Sequence, residues 1–202
     1  MEKKKLKLMA KFAGKSKLNA AVFISGRGSN LKSLINFSKK KLSPIKIVLV
    51  VSNNKEAQGL NYAKINNIKN IVVIYKNKLK TEKKLLGALL KYKIRLICLA
   101  GFIKILSKKF ILKFEGKILN IHPSLLPNYK GLNTHRRVIE NKEKFTGCTV
   151  HLVNTRLDSG KIILQKKIKI LRKDNENSLA KKILKLEHQL YPRAIVKFLS
   201  SR

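Results

Sequence analysis

Three short stretches carry residue types whose spacing could do chemistry. The first is Ser25-Gly26-Arg27-Gly28-Ser29-Asn30. Two glycines let backbone N–H groups approach an anion closely, and a helix starting there adds positive partial charge. Ser29 and Asn30 add polar side chains. Such a loop suits one phosphate. It lacks the Lys-Ser/Thr ending of a nucleoside-triphosphate loop and the third glycine of a dinucleotide fingerprint. The bland alternative is a tight βα turn capped by Ser29.

The second stretch is Asn120-Ile121-His122-Pro123-Ser124-Leu125-Leu126-Pro127. Strand alternation aims Asn120 and His122 to one side. A carboxamide beside an imidazole can hydrogen-bond one carbonyl oxygen. With the ring protonated, the pair could stabilise an oxyanion as that carbon becomes tetrahedral. An imidazole satisfied by backbone bonds is the alternative. The third is Asp158, in Leu157-Asp158-Ser159-Gly160; the other aspartate, Asp174, sits in a polar loop. Near His122, a carboxylate would raise the imidazole pKa and fix its orientation. Alone, it would serve a β-turn.

The elements that must position these stretches alternate. Asn19–Ser25, Lys46–Ser52, Asn70–Ile74, Ile94–Ala100 and Lys117–Ile121 read as strands. Asn30–Lys40, Ala57–Asn67, Lys80–Tyr92 and Ser107–Phe114 have helical spacing. Strands apolar on both faces and separated by helices predict an α/β, Rossmann-like, mostly parallel sheet covered on both sides. Thr146–Val153 and Ile162–Ile170 then predict an antiparallel C-terminal addition, and Asn177–Leu199 a closing helix bent at Pro192. Open sheets bind ligands at the carboxyl ends of their strands, near the reversal of strand order. Loops 25–30, 101–106 and 120–134 fall at such ends, and the turn at 154–160 is placed to join them.

Composition sets the outer limits. A hydrophobic fraction of 44% over 202 residues supports one packed domain and excludes a wholly disordered chain. No apolar run reaches the roughly 18 residues of a membrane span, and a cytoplasmic location is expected. Cys98 and Cys148 lie in apolar runs and read as buried free thiols. No metal is expected, because nothing pairs His and carboxylates at ligand spacing. Residues 1–18 form a Lys-rich extension ahead of a domain over 19–202. Lys and Arg number 47 against 10 Asp and Glu, a net charge of +37 that attracts polyanions. The basic residues gather into no stripe, and aromatic residues are 6% with no Trp to build a stacking platform. No specific nucleic-acid partner is expected.

The segments AVFISGRGSNLKSLI, LAGFIKILSKKF, KILNIHPSLLPNYKGLNTHRRVIENK, GCTVHLVNTRLDSGKIILQ and LEHQLYP occur in order over about residues 19–200. In order and spacing they resemble the phosphoribosylglycinamide formyltransferase family. HPSLLP and LDxG belong to the wider group of 10-formyltetrahydrofolate transferases. The SGxGSN loop and the LEHxxYP helix point to the glycinamide ribonucleotide (GAR) branch. The resemblance implies a single-domain formyltransferase fold. It implies transfer of a formyl group from 10-formyltetrahydrofolate, a co-substrate, to the primary amine of GAR in purine synthesis, without a metal. By the same resemblance, Asn120 and His122 stabilise the oxyanion and Asp158 orders the imidazole. Gly28, Ser29, Asn30 and Glu187 hold GAR; Ile103, Lys104, Ile105, Leu106 and Asn120 meet the folate. Lys78 stands where the family commonly carries an Arg near the folate tail. Lysine keeps the charge but loses the two-pronged grip, so weaker folate binding is expected.

Two more departures are Asn133, where a His is frequent, and Ser159, which replaces a usual Gly and is expected to disfavour a positive-φ turn. His135 is expected to anchor a loop or helix start, His151 to pack within a strand, and His188 to be structural. Alternatives keep the fold and change the acceptor or the activity: formylation of initiator tRNA, hydrolysis of the donor, or a non-enzymatic nucleic-acid binder. The first two are disfavoured because neither end of the sequence supplies the extra domain they would need. A monomer or homodimer is expected.

Overall fold

The computed structural model describes residues 11, 12, 14 and 16–201, so most of the basic extension lies outside the described residues. The strands are β1 (Leu18–Ile24), β2 (Ile45–Ser52), β3 (Lys69–Val72), β4 (Leu96–Leu99), β5 (Lys117–His122), β6 (Phe145–Leu152) and β7 (Ile162–Lys169). The helices are α1 (Ser29–Lys39), α2 (Gly59–Ile65), α3 (Lys78–Lys91), α4 (Lys108–Lys113), α5 (Thr134–Glu140) and α6 (Glu176–Ser200). They build one seven-stranded sheet in the order β3-β2-β1-β4-β5-β6-β7. β1 to β5 pair in parallel, while β5–β6 and β6–β7 are antiparallel.

The predicted elements are therefore present, with ends shifted by a few residues. One helix, α5, begins where the 120–134 loop reading ends, in a stretch for which the spacing predicts no element. Its seven residues are too few to show a helical period. α6 runs unbroken through Pro192, whose missing N–H is outweighed by tertiary packing: Tyr191, Ala194 and Ile195 on either side are fully buried.

Alternation along the strands separates two cores. Ala20, Val22 and Ile24 of β1 face a core shared with α1, α2, α5 and α6. Ala21 and Phe23 face the other, with Leu85 and Leu89 of α3 and Phe110 of α4. On β2 the faces change partway, where the β1 register slips between Ala20, opposite Ile47, and Ala21, opposite Leu49. Tyr191, with no exposed surface, donates its hydroxyl to the carbonyls of Leu99 and Leu119, pinning α6 under β4 and β5. Cys98 and Cys148 are both buried and free, and burial pushes each thiol up to about 12. Neither ionises in the neutral range, which makes them packing groups.

Strand order reverses between β1 and β4. The loops leaving these two strands face each other across that crevice, and one bond spans it: Ile103 N–H donates to Ser25 Oγ at 2.9 Å. β5 is the other boundary, parallel to β4 and antiparallel to β6.

Candidate active site

At the carboxyl end of β5, Asn120 and His122 lie on one side of the strand, as alternation requires. Antiparallel pairing sets His151 of β6 directly opposite Asn120. The loop after β6 then folds back and brings Asp158 to both. Its Oδ2 lies 3.4 Å from His122 Nδ1 and accepts from Gly131 N–H at 2.9 Å. Its Oδ1 lies 3.5 Å from His151 Nε2 and accepts from Asn120 Nδ2 at 3.4 Å. One carboxylate thus touches two imidazoles and hydrogen-bonds to a carboxamide and to the 123–133 loop.

The fold-back has a local cause. Gly160 passes so close to β6 that a Cβ would sit 1.7 Å from the Leu152 carbonyl oxygen. Asp158 itself is left-handed, at φ 44°. The expected strain at Ser159 is therefore misplaced: the positive φ falls one residue earlier, on an aspartate. Ser159 donates to the Leu157 carbonyl and accepts from Lys130 Nζ. Asn133 is also left-handed, at φ 56°, as the residue preceding α5; asparagine tolerates that conformation better than most residues.

His122 is buried, and its Nε2–H donates to the Tyr129 carbonyl at 2.8 Å. Its Nδ1 lone pair therefore faces Asp158 Oδ2. Burial lowers the His122 pKa; the Tyr129 carbonyl and the Asp158 carboxylate oppose that shift without overturning it. The expectation that Asp158 raises this pKa holds for the direction of its own influence, and desolvation wins the balance. For Asp158, burial pushes upward, but the His151 hydrogen bond, the Gly131 N–H and the two imidazoles together pull its carboxyl below the usual range. The pair at neutral pH is a neutral imidazole beside a carboxylate.

His151 is the residue that sequence reasoning set aside. It is 1% exposed, and its Nδ1–H donates to the Leu152 carbonyl at 2.8 Å. That leaves an Nε2 lone pair 3.2 Å from Asn120 Nδ2. Only the β5–β6 register reveals this. His135 is the second residue of α5 and lines the same cavity.

These groups form one side of a cavity of about 490 Å³. The facing wall is the strip of Phe102, Ile103, Lys104, Ile105 and Leu106. Backbone N–H and C=O groups of Lys104, Ile105 and Leu106 have no protein partner among the described residues. The mouth is apolar, with Ile103, Ile105, Leu132 and Leu157 each more than half exposed. A flat heterocycle with hydrogen-bonding edges fits such a slot: apolar faces for its rings and an unpaired backbone edge for its donors and acceptors. Among the described residues, no group of three or more His, Cys, Asp or Glu is arranged to hold a metal ion.

The loop 25–30 is a separate feature. Gly28 is left-handed at φ 72° and precedes α1, which has no side-chain cap. Ser29 is the first residue of the helix and does not cap it. By contrast, α3, α4 and α6 are capped by Asn77, Ser107 and Asn175. A Cβ on Gly28 would meet Gly59 Cα at 2.5 Å, so glycine is required twice over. Asn30 donates Nδ2 to Glu187 Oε2 at 2.7 Å, and its buried Oδ1 has no partner among the described residues. Burial pushes the Glu187 carboxyl up to about 7 despite the Asn30 bond. Gly28, Ser29, Asn30 and Glu187 do not line the cavity, and neither does Lys78, the first residue of α3. His188 is half-buried, and its carbonyl accepts from Ser33 Oγ on α1.

Comparison with known proteins identifies the family. The formyl transferase family profile matches residues 18–195. The chain is 42% identical over 185 residues to a phosphoribosylglycinamide formyltransferase of Haemophilus influenzae, covering 90% of this chain and 87% of that one. It is 43% identical over 183 residues to the trifunctional purine biosynthetic protein adenosine-3 of Gallus gallus, and there it spans only 18% of the relative's length. Among solved structures, the phosphoribosylglycinamide formyltransferase of Brucella melitensis superposes with a TM-score of 0.86 at 42% identity, covering 91% of this chain and 96% of that one. No described helix is long and apolar enough to cross a membrane. By profile, sequence and fold alike, the chain belongs to the formyl transferase family, in its phosphoribosylglycinamide formyltransferase branch.

Proposed function

We propose that the chain transfers the formyl group of 10-formyltetrahydrofolate to the primary amine of GAR, giving formyl-GAR and tetrahydrofolate in purine synthesis. The observation that carries this reading is the contact of His122 and Asp158, with Asn120, on a cavity whose opposite wall is an unpaired backbone edge. The cavity takes the pterin of the donor between residues 103–106 and the loop 154–158, which places the formyl carbon against β5. The GAR phosphate sits on the uncapped start of α1 at Gly28, Ser29 and Asn30. Glu187, bonded to Asn30, completes that side.

The amine nitrogen attacks the formyl carbon, and the carbonyl electron pair moves to oxygen. Asn120, whose amide bonds to His151 and Asp158 are long, swings one N–H onto this oxyanion. The neutral His122 takes the amine proton at Nδ1, where the Asp158 carboxylate stabilises the imidazolium formed. The oxyanion pair then returns, the bond to the folate nitrogen breaks, and that nitrogen leaves with the proton from His122. No proton is gained or lost overall.

The test is a formyl-transfer assay with and without GAR and with no added metal. Transfer that depends on GAR supports the reading. Hydrolysis alone, or inactivity, rejects it. His122→Ala and Asp158→Asn should each lower kcat about a hundredfold or more. Near-wild-type turnover in both would reject the assignment of roles.

A further inference from the structure

The donor-facing strip is held from outside itself. Ile103 and Ile105 are 62% and 64% exposed, and the backbone of residues 104–106 pairs with nothing among the described residues. A segment of this kind would sample many conformations unless anchored. Three anchors are present. At the near end, the Ile103 N–H is taken by Ser25 Oγ, which in turn donates to Asn53 Oδ1 at the end of β2. Next to it, the Phe102 ring packs edge-on against Phe23 and Tyr75, at 5.3 and 6.1 Å between centroids.

At the far end stands Glu82 of α3, a carboxylate with only 3% exposure and no part in the proposed chemistry. One of its oxygens accepts from the Ser107 N–H at 2.8 Å and the other from the Ser107 hydroxyl. Ser107 in turn caps α4. Residues 104–106 therefore hang between two fixed posts, Ser25 and Glu82, which belong to neither the reacting cluster nor the anion loop's phosphate contacts.

We propose that Ser25 and Glu82 are positioning residues for the formyl donor, holding the backbone edge of Lys104–Leu106 at the height and angle that pairs with the donor's heterocycle. This rests on the reading of the cavity as the 10-formyltetrahydrofolate site. Because one hydroxyl and one carboxylate act on the wall and on nothing that reacts, their loss moves donor affinity and leaves the chemical step alone.

The experiment measures KM for 10-formyltetrahydrofolate at saturating GAR, KM for GAR at saturating donor, and binding of tetrahydrofolate by calorimetry. Ser25→Ala and Glu82→Gln should each raise donor KM and tetrahydrofolate Kd about fivefold, the scale of one net hydrogen bond. kcat and GAR KM should stay within about twofold. Ser25→Thr, which keeps the hydroxyl, should restore donor binding. An unchanged donor KM and Kd overturns the proposal, as does a Ser25→Ala variant whose GAR KM rises instead. A joint fall in kcat, both affinities and Tm overturns it in favour of simple fold damage. If Glu82→Gln does not fold, the half-buried Ser25 pair of variants decides the matter. A wild-type chain that transfers no formyl group rejects the functional reading, whereas tetrahydrofolate binding still tests the wall without turnover.

Discussion

The parallel and antiparallel parts of the sheet contribute different kinds of group to the site. From β1 and β4, in the parallel part, come backbone groups: the left-handed Gly28 before an uncapped helix, and the unpaired edge of residues 104–106. From β5, β6 and the loop after β6 come side chains: Asn120, His122, His151 and Asp158. Parallel strands end in loops that start helices, so their exits present peptide N–H groups and dipoles. Antiparallel strands exchange cross-strand neighbours, so a side chain on β6 meets one on β5 face to face. Backbone groups bind with fixed geometry and cannot titrate; side chains can carry protons. On the proposed reading, backbone groups of the parallel part, with Asn30 and Glu187 beside them, hold the substrates, and side chains at the antiparallel seam react.

Substitutions that break this comparison hardest are those in the side-chain half. His122→Ala and Asp158→Asn, with the hundredfold losses given above, should act on kcat and leave KM for GAR nearly unchanged, since the anion loop is built independently. A large rise in GAR KM in either variant would merge the two halves.

Next in size is the stability carried by Glu187. Its folded pKa of about 7 lies above the ordinary value of 4.5, so between those values the folded chain holds a proton that the unfolded chain has lost. Stability therefore falls as pH rises from about 4.5 to 7, by on the order of 3 kcal/mol in full. Glu187→Gln keeps an acceptor for Asn30 and should remove that slope. Urea unfolding should find the variant more stable than wild type at pH 8 and alike at pH 4, and equal stability at pH 8 would refute the burial argument.

Smaller again is His151→Ala, which removes the ring nitrogen that accepts from Asn120 Nδ2. A loss of roughly tenfold in kcat is expected, as for a residue that orients others. A pH profile sharpens the same point. The acid limb of kcat/KM should lie below the ordinary imidazole value of about 6.5, because burial lowers the His122 pKa. In Asp158→Asn the residual activity should show that limb moved lower still, since a carboxylate that favoured the imidazolium is gone. A limb that moves upward would contradict the electrostatics.

The smallest effect belongs to Lys78→Arg. Lys78 starts α3 outside the cavity lining, so a change in donor KM below about twofold is expected in steady-state kinetics. A strong gain in donor affinity would show that the folate tail reaches α3, and would extend the binding half beyond the backbone edge.

Most of the sheet was legible because its strands are short apolar runs bounded by turn residues and separated by helical spacing, a pattern with one stable solution. The backbone of loop 25–30 was legible too, since glycines at 26 and 28 ahead of Ser-Asn state a backbone requirement in the sequence itself. Helix α5 was not, because its start depends on a left-handed Asn133 and on contacts with the loop before it. His151 was not, because its alternation matches that of any buried strand residue.

By itself, the sequence determined the alternation of elements, the family, and the side-by-side placement of Asn120 and His122, since these depend on local periodicity and motif spacing. Only the tertiary structure decided that Asp158 reaches both imidazoles, that His151 faces Asn120, and that desolvation outweighs Asp158 in setting the His122 pKa. Register, chain fold-back and burial are sums over distant contacts, and no local window of residues contains them.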